Sequence, residues 1–396
     1  MLTKTKIKKS LIGVRAMQCA YCAGIDIVKK GTREKMLEIV QLWYCNSCKR
    51  VFTPQSVKGK TYPLSIIIDG ISYYNLGFSL EQSCKILKEK FGFDVQPSTL
   101  AAWVEEFKDL CRYYRYRPFA IKMCAPMETV VSVTLAHRQL YRFMFHQPKT
   151  RLIIREDIKH SRFGPLAEFL SLVSSETPHQ YFQEGLRMSE TPLRFSKEQM
   201  IVRSKHNFAN QLAAFALQGV KENKKRHEAV QKFMLANDTV TVATEVPVYI
   251  KRADLVHMQT QLGFEIYKKE GKGIRKIEKS DELPTLITGH IDFVQIRNGQ
   301  IHILDYKPNA AKEKPIEQLT LYAMALSRLT GLRMYCFKCA WFDEKDYFEF
   351  FPLHVVYKKK GRKRNIRSDR KQIQTKEGVY RLNQSDARIE SLRPIA

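Results

Sequence analysis

The sequence predicts a mixed α/β protein carried behind two small amino-terminal modules. Three observations lead there. The stretch "GHIDFVQIRNGQIHILDYKPNA", Gly289–Ala310, has the pattern of a β-hairpin. Apolar runs such as "VTVATEVPVYI" and "MYCFKCAWF" read as buried strands and alternate with segments of helical period. Ahead of them stand two CxxC pairs and a trio of capped helical patterns. The expected domains are a zinc ribbon at 1–57, a helix-turn-helix at 58–115, a helical and basic linker region at 116–206, an α/β domain at 207–357 and a basic tail at 358–396.

Cys19 and Cys22 in "MQCAYC", with Cys45 and Cys48 in "WYCNSCKRVF", form a CxxC…CxxC set with 22 residues between the pairs. Two tight turns brought together supply four thiolates for tetrahedral Zn²⁺. A filled shell leaves no open position, so the site is structural; a redox pair is the other reading. The strand in "LEIVQLWYC" and the basic turn "CKRVF" suit a zinc ribbon.

In the helical trio, "YPLSIIIDGISYYNLG" has a Pro start and a Gly stop. "SLEQSCKILKEKFG" opens on a capping box, Ser79 with Gln82, and "QPSTLAAWVEEFKDL" starts at Pro97-Ser98. A helix, a short turn and a second helix with a small polar start form a helix-turn-helix pattern that would send Ser98 and Thr99 toward a DNA major groove. A small bundle that only packs is the alternative. The ribbon followed by "GFSLEQSCKILKEKFGFDVQPSTLAAWVEEF" resembles the DNA-binding front end of prokaryotic insertion-sequence transposases over about the first quarter of the chain. A transposase would continue into an Asp-Asp-Glu core, and none is traceable in the remainder.

Between about Cys111 and Lys205, "RYYRYRP" and "LAHRQLYRFMFHQPKTRLIIRED" interleave basic residues with aromatics. That composition suits backbone contact and base stacking. It equally suits the two faces of ordinary packed elements, and no catalytic constellation stands out.

From Asn207 a long helical pattern runs to "KENKKRHEAVQKFML", with His227 on the face of Val230 and Met234. The strand "VTVATEVPVYI" carries Glu245 in an apolar run. In the hairpin, Asn298-Gly299 is the strongest short-range turn signal, because both positions tolerate φ > 0. Counting outward from Arg297 opposite Gln300 puts Val294 opposite Ile303 and Asp292 opposite Asp305. Like charges so placed destabilise a sheet, so the pair needs a cation or a raised pKa. Lys307, two residues beyond Asp305, projects from the same face. Such carboxylates suit Mg²⁺ or Mn²⁺. A helix follows with Pro315 in its first turn, Gly331 at its stop, and Gln318 and Tyr322 at i and i+4.

This order of residues resembles the RecB-like branch of the PD-(D/E)XK nucleases: His227 in "RHEAV", Glu245 in "TEVPV", Asp292 in "GHIDFV", Asp305 and Lys307 in "LDYKP", and Gln318 and Tyr322 in "QLTLY". It covers about residues 207–355. The resemblance implies a restriction-endonuclease-like mixed β-sheet flanked by helices. It also implies that His227, Asp292, Asp305 and the backbone carbonyl of Tyr306 bind the catalytic Mg²⁺ or Mn²⁺, with Lys307 orienting water. Glu245 would support the water or the metal, while Gln318 and Tyr322 would position a DNA strand. Some relatives hold an iron-sulfur cluster on one upstream and three late cysteines. This chain departs from them, with only Cys336 and Cys339 after the hairpin.

The net charge of +27, from 67 Lys and Arg against 40 Asp and Glu, points to a polyanionic partner, with DNA favoured over an acidic membrane. "YKKKGRKRNIRSDRKQ" carries nine basic residues against one Asp. Lys358, Lys359, Lys360, Arg362, Lys363 and Arg364 there suit phosphate contact, with a nuclear localisation signal or a solvated tail as alternatives. No run of 18 apolar residues occurs, and the basic start "MLTKTKIKKSLIGVRAM" has no secretory apolar stretch of adequate length. The expectation is a cytoplasmic, nucleoid-associated protein of prokaryotic or mobile-element origin. Its expected function is metal-dependent hydrolysis of DNA phosphodiesters, targeted by the ribbon and helix-turn-helix. The alternative is a non-catalytic DNA-binding regulator or transposase-related protein on a nuclease-like scaffold.

Overall fold

A computed structural model describes residues 19–34, 39–53, 60–155, 158–197, 200–220, 222–270, 273–356, 372–375 and 378–381. The first described elements form a three-stranded antiparallel sheet, β1 (Ile27–Glu34), β2 (Ile39–Cys45) and β3 (Val51–Phe52). Three helices follow: α1 (Leu64–Asn75), α2 (Leu80–Phe91) and α3 (Pro97–Phe107). The capping box forms, with Ser79 Oγ accepting from the Gln82 amide and the Gln82 side chain accepting from the Ser79 amide. Gly92 ends α2 in the left-handed conformation.

Then come α4 (Arg117–Ala120), a hairpin of β4 (Val130–His137) and β5 (Gln139–His146), and the helices α5 (Gln147–Arg155), α6 (Gly164–Glu176) and α7 (His179–Glu184). Short strands β6 (Leu186–Arg187), β7 (Leu193–Arg194) and β8 (Ile201–Ser204) lead to α8 (Phe208–Gln218), α9 (Arg226–Asn237), β9 (Thr241–Lys251) and α10 (Arg252–Thr260). The remainder is β10 (Glu265–Glu270), β11 (Gly273–Lys276), β12 (Leu286–Arg297), β13 (Gln300–Tyr306), α11 (Ile316–Thr330), β14 (Phe337–Phe342), β15 (Tyr347–Phe350), α12 (Leu353–Val356), β16 (Gln372–Thr375) and β17 (Gly378–Arg381).

Among the described residues, eleven strands make one mixed sheet in the order β16-β17-β8-β15-β14-β13-β12-β9-β5-β4, with β6 also pairing β12. The β13–β14 pair is parallel and bridged by α11, while β12–β13 and β9–β12 are antiparallel. One face packs α5, α6 and α11 through Ile153, Leu166, Leu170, Leu319 and Leu326. The other face, at Phe293, Leu304 and Phe342, packs α8 and α9 and also the amino-terminal trio through Leu64, Ile67, Leu87 and Trp103. The trio and the sheet therefore share one apolar core. A polar pin holds them together: Asn75 Nδ2 donates to Asn237 Oδ1 at 2.7 Å, and Asn237 Nδ2 to Ser72 Oγ at 2.8 Å.

Two further departures from the sequence reading have local causes. The single long helix expected from Asn207 is two, because α8 ends at Gly219, and α9 begins only after the 3-10 turn Asn223–Lys225. Part of the segment expected to link modules supplies sheet instead: β5 pairs β9 at Met144↔Thr244 and Phe145↔Ala243. Among the described residues no helix is long and apolar enough to cross a membrane.

Candidate metal centre

The hairpin turn sets the site. Asn298 and Gly299 take φ of 52° and 69°, the left-handed pair that matches a two-residue turn to strand twist. The ladder then runs from Arg297↔Gln300 through Val294↔Ile303 to Phe293↔Leu304 and stops. Beyond that point β12 continues against β9, and β13 against β14. The strands fork where the same register brings Asp292 and Asp305. Peptide groups at a fork are free to serve side chains, and the Tyr306 amide donates to Asp292 Oδ2 at 3.0 Å.

On the other side of β12, Thr244 pairs Phe293 and Val246 pairs Ile291, so Glu245 holds the position facing Asp292. Its φ is +50°, a left-handed conformation that costs a non-glycine residue about 1–2 kcal/mol. Three acids thus form a row across β9, β12 and β13, an arrangement a sheet tolerates only with compensation.

Helix α9 supplies that compensation. His227 Nε2 lies 2.8 Å from Asp292 Oδ2, and its Nδ1 lies 3.9 Å from Glu245 Oε1. One turn later Gln231 donates to Glu245 Oε1 at 2.7 Å. Lys307 Nζ stands 3.0 Å from Asp305 Oδ2. Arg226 pairs with Glu344 and reaches the Tyr306 hydroxyl.

The charges follow from these contacts. Burial would raise the Asp292 carboxyl, but the His227 imidazolium holds it well below the carboxylate range. Burial would strip His227 of its proton, yet Asp292 outweighs it and lifts the imidazole to about 9. Asp305 is pushed well above the carboxylate range by burial and then by Asp292. The same two causes carry Glu245 to about 7. The two carboxyls are thus driven apart, Asp292 toward its charged form and Asp305 toward its neutral form.

The donor atoms of His227, Glu245 and Asp292 lie within 4.8 Å of one another. Two carboxylates and an imidazole, hard and borderline donors, suit Mg²⁺ or Mn²⁺. Glu245 thus stands with His227 and Asp292 as a candidate donor, while Asp305 lies outside that group of three and meets Lys307. The described contact of the Tyr306 peptide with the row is through its N–H.

Gln318 Nε2 donates to the Tyr322 hydroxyl at 2.7 Å. The Tyr322 hydroxyl also feels the charges of Asp305, Asp292 and Glu245, after burial the largest influences that raise it. Its ring covers Gly289, where a Cβ would come within 2.4 Å of Tyr322 Cε1. Ser98 is exposed in the first turn of α3 and Thr99 half-buried beside it. Lys358, Lys359, Lys360, Arg362, Lys363 and Arg364 lie outside the described residues.

Sequence reasoning missed Gln231, Gly289, His290, Tyr141 and Arg187. Gln231 carried a signal, standing four residues from His227 on one helix face. The others meet only through the fold. Tyr141 on β5 stacks on His290 with centroids 3.7 Å apart and planes 9° from parallel. His290 Nε2 lies 2.8 Å from His137 Nδ1, and His137 Nε2 lies 2.9 Å from His179 Nδ1. The bonds leave opposite nitrogens of His137, so the imidazoles form a chain and do not converge on an ion. Burial first, then neighbouring charge, lowers His137 to about 4 and His290 to about 3.

The amino-terminal cysteines form a second cluster. Cys19 Sγ lies 3.5 Å from Cys48 Sγ, and Cys22 Sγ 3.5 Å from Cys45 Sγ, all as free thiols. A tetrahedron with Zn–S bonds of about 2.3 Å has S–S edges near 3.8 Å, close to those spacings. The two turns repeat each other: Ala23 and Lys49, each following its second cysteine, both take φ of 59°. Their amides donate to the Cys19 and Cys45 carbonyls at 2.9 and 2.8 Å. The residues fit a four-thiolate zinc site.

No curated protein and no solved structure matches the chain. A family model, the PD-(D/E)XK nuclease superfamily, matches residues 179–385, just over half of the 396 residues. The matched span contains the row of acids, His227, Lys307 and the Gln318–Tyr322 pair, and the chain belongs to the PD-(D/E)XK nuclease superfamily.

Proposed function

We propose that the chain is a RecB-like nuclease that hydrolyses DNA phosphodiester bonds with Mg²⁺ or Mn²⁺ at the β12–β13 fork. The observation that carries this reading is the acid row with its facing histidine: His227, Glu245 and Asp292 present donors within 4.8 Å, and Lys307 stands beside Asp305. A structural scaffold gains nothing from repulsive acids and a strained Glu245. Such features persist where a site uses them.

In this reading His227, Asp292 and Glu245 hold the divalent ion, with Asp305 and the Tyr306 carbonyl completing the set on the family pattern. The ion supplies charge stabilisation at the phosphate oxygens and acidifies the attacking water. Lys307 orients the water and offsets charge at the scissile phosphate. Gln231 keeps Glu245 pointed at the centre, and Gln318 and Tyr322 hold the strand by hydrogen bonds to phosphate or sugar. The four-cysteine ribbon, the α2–α3 pair with Ser98 and Thr99, and the basic tail bring the centre to DNA.

Purified protein incubated with linear, circular and single-stranded DNA and Mg²⁺ or Mn²⁺ is expected to cleave at least one substrate, with Asp305→Ala inactive. No cleavage on any of the three, or equal cleavage by the variant, overturns the assignment. For the ribbon, Cys45→Ser is expected to lower zinc content by close to one ion per chain and to lower the melting midpoint, because metal binding there is folding free energy. An unchanged zinc stoichiometry rules out a four-cysteine zinc site.

A further inference from the structure

The hairpin of β4 and β5 stands beside the acid row, yet its residues precede the span matched to the nuclease superfamily. It is fastened at both ends. Arg138 donates to the carbonyls of Gln183 and Glu184 at 3.0 and 3.4 Å, tying the tip to α7. Arg142 reaches Glu228 at 3.8 Å, on the helix that carries His227. Between these fastenings Tyr141 lies flat on His290, which is two residues, or roughly 6.6 Å of strand, from Asp292.

Tyr141 is near enough to the row that the charges of Glu245 and Asp292 act on its hydroxyl. That hydroxyl accepts a hydrogen bond from Arg187. The acid partner of Arg187, Glu190, is 3.7 Å away and half exposed, a weak surface pair. A guanidinium has five donors, so this one keeps donors and charge for a ligand. Behind the tyrosine, the His290–His137–His179 chain and the stacking of His137 on Phe182 at 4.1 Å hold the platform rigid. An aromatic hydroxyl and a guanidinium on a rigid wall, one strand repeat from a phosphodiester-cleaving centre, are the groups that fix a strand by its phosphates.

We propose that Arg187 and Tyr141 clamp a phosphate next to the scissile one on the bound DNA strand, with His290, His137 and His179 as positioning residues. This rests on the nuclease reading above. The arginine supplies the charge, the tyrosine hydroxyl orients the guanidinium, and the histidine chain keeps the tyrosine ring from turning away.

The test uses the zinc-loaded full chain and a fluorescein-labelled single strand, with binding measured in Ca²⁺ over a range of KCl and cleavage measured in Mg²⁺. Arg187→Gln is expected to weaken binding about tenfold and to lower the slope of log K against log[salt] by about 0.7, the loss of one phosphate contact on a single strand. KM rises accordingly, while kcat stays within a few-fold. Arg187→Lys keeps the slope. Tyr141→Phe weakens binding less than Arg187→Gln, and His137→Gln raises KM with the slope unchanged, since the charge remains. An unchanged slope and KM in Arg187→Gln overturns the clamp. So does an equal loss in Arg187→Lys with the slope intact, which would make Arg187 a packing residue. An unchanged KM in His137→Gln overturns the positioning role of the histidines. Wild-type protein that binds with this arginine dependence yet cleaves nothing upholds the clamp and overturns the nuclease reading. Wild-type protein that binds no DNA overturns both.

Discussion

Asp292→Asn is expected to leave the chain folded and to cut Mg²⁺-dependent DNA cleavage by at least about 10³-fold. Removing one preorganised electrostatic group from an active site costs about 10²–10³, and this carboxylate has two tasks. It offers a ligand atom within 4.8 Å of those of His227 and Glu245, and it is the partner that holds His227 in place at 2.8 Å. Asparagine is close to isosteric, and its carbonyl oxygen can still accept from the Tyr306 amide. With the charge gone, the imidazole should fall from about 9 toward the ordinary value near 6.5. NMR titration of His227 reads this independently of catalysis. A variant that cleaves like wild type, or an imidazole that does not move, contradicts the assignment of Asp292.

Gly289→Ala is the second large effect. The added methyl would sit 2.4 Å from Tyr322 Cε1 and 3.2 Å from Met188 Sδ. The Tyr322 ring is 5% exposed and its hydroxyl is held by Gln318, so yielding to the methyl means repacking a buried ring. Overpacking a core in this way costs about 1–3 kcal/mol, a fall of a few degrees in melting midpoint for a domain of this size. Cleavage should fall too, because the displaced ring takes the tyrosine hydroxyl away from the acid row. Thermal melting and cleavage rate check the two effects, and an unchanged midpoint shows that the strand can relax away from the ring.

The centre of the fold was legible in the sequence wherever a local rule fixes geometry. Asn298-Gly299 set the hairpin register, Ser79 with Gln82 capped α2, and Gly331 ended α11 in the left-handed conformation. The spacing of Cys19, Cys22, Cys45 and Cys48 announced their convergence for a similar reason: each pair is one turn. What stayed hidden depends on pairing between distant segments. The strand β5 was obscured because its first residues are mostly exposed and basic or polar, while only its last four are buried. With β5 unread, Tyr141 could not be placed on His290, nor Arg187 on Tyr141. The shared core of the helical trio and the sheet was hidden too, since Leu87 and Trp103 pack as a small bundle would. The role of Glu245 needed its backbone, because nothing in "TEVPV" signals a φ of +50°.

Calorimetric titration of zinc-loaded protein with Mn²⁺, in buffers of different ionisation enthalpy, reads divalent-metal binding at the fork between β12 and β13. His227, lifted to about 9, carries a proton at pH 7 that it must lose to ligate, and Glu245, raised to about 7, holds part of a proton there. Binding at pH 7 should therefore release roughly one to two protons. Raising the pH removes the competing protons, so affinity should climb through pH 7 to 9 and level off above about 9. Asp292→Asn should abolish the binding. Mn²⁺ binding with no proton release, or binding unchanged in Asp292→Asn, would rule out a metal centre built on His227 and Asp292.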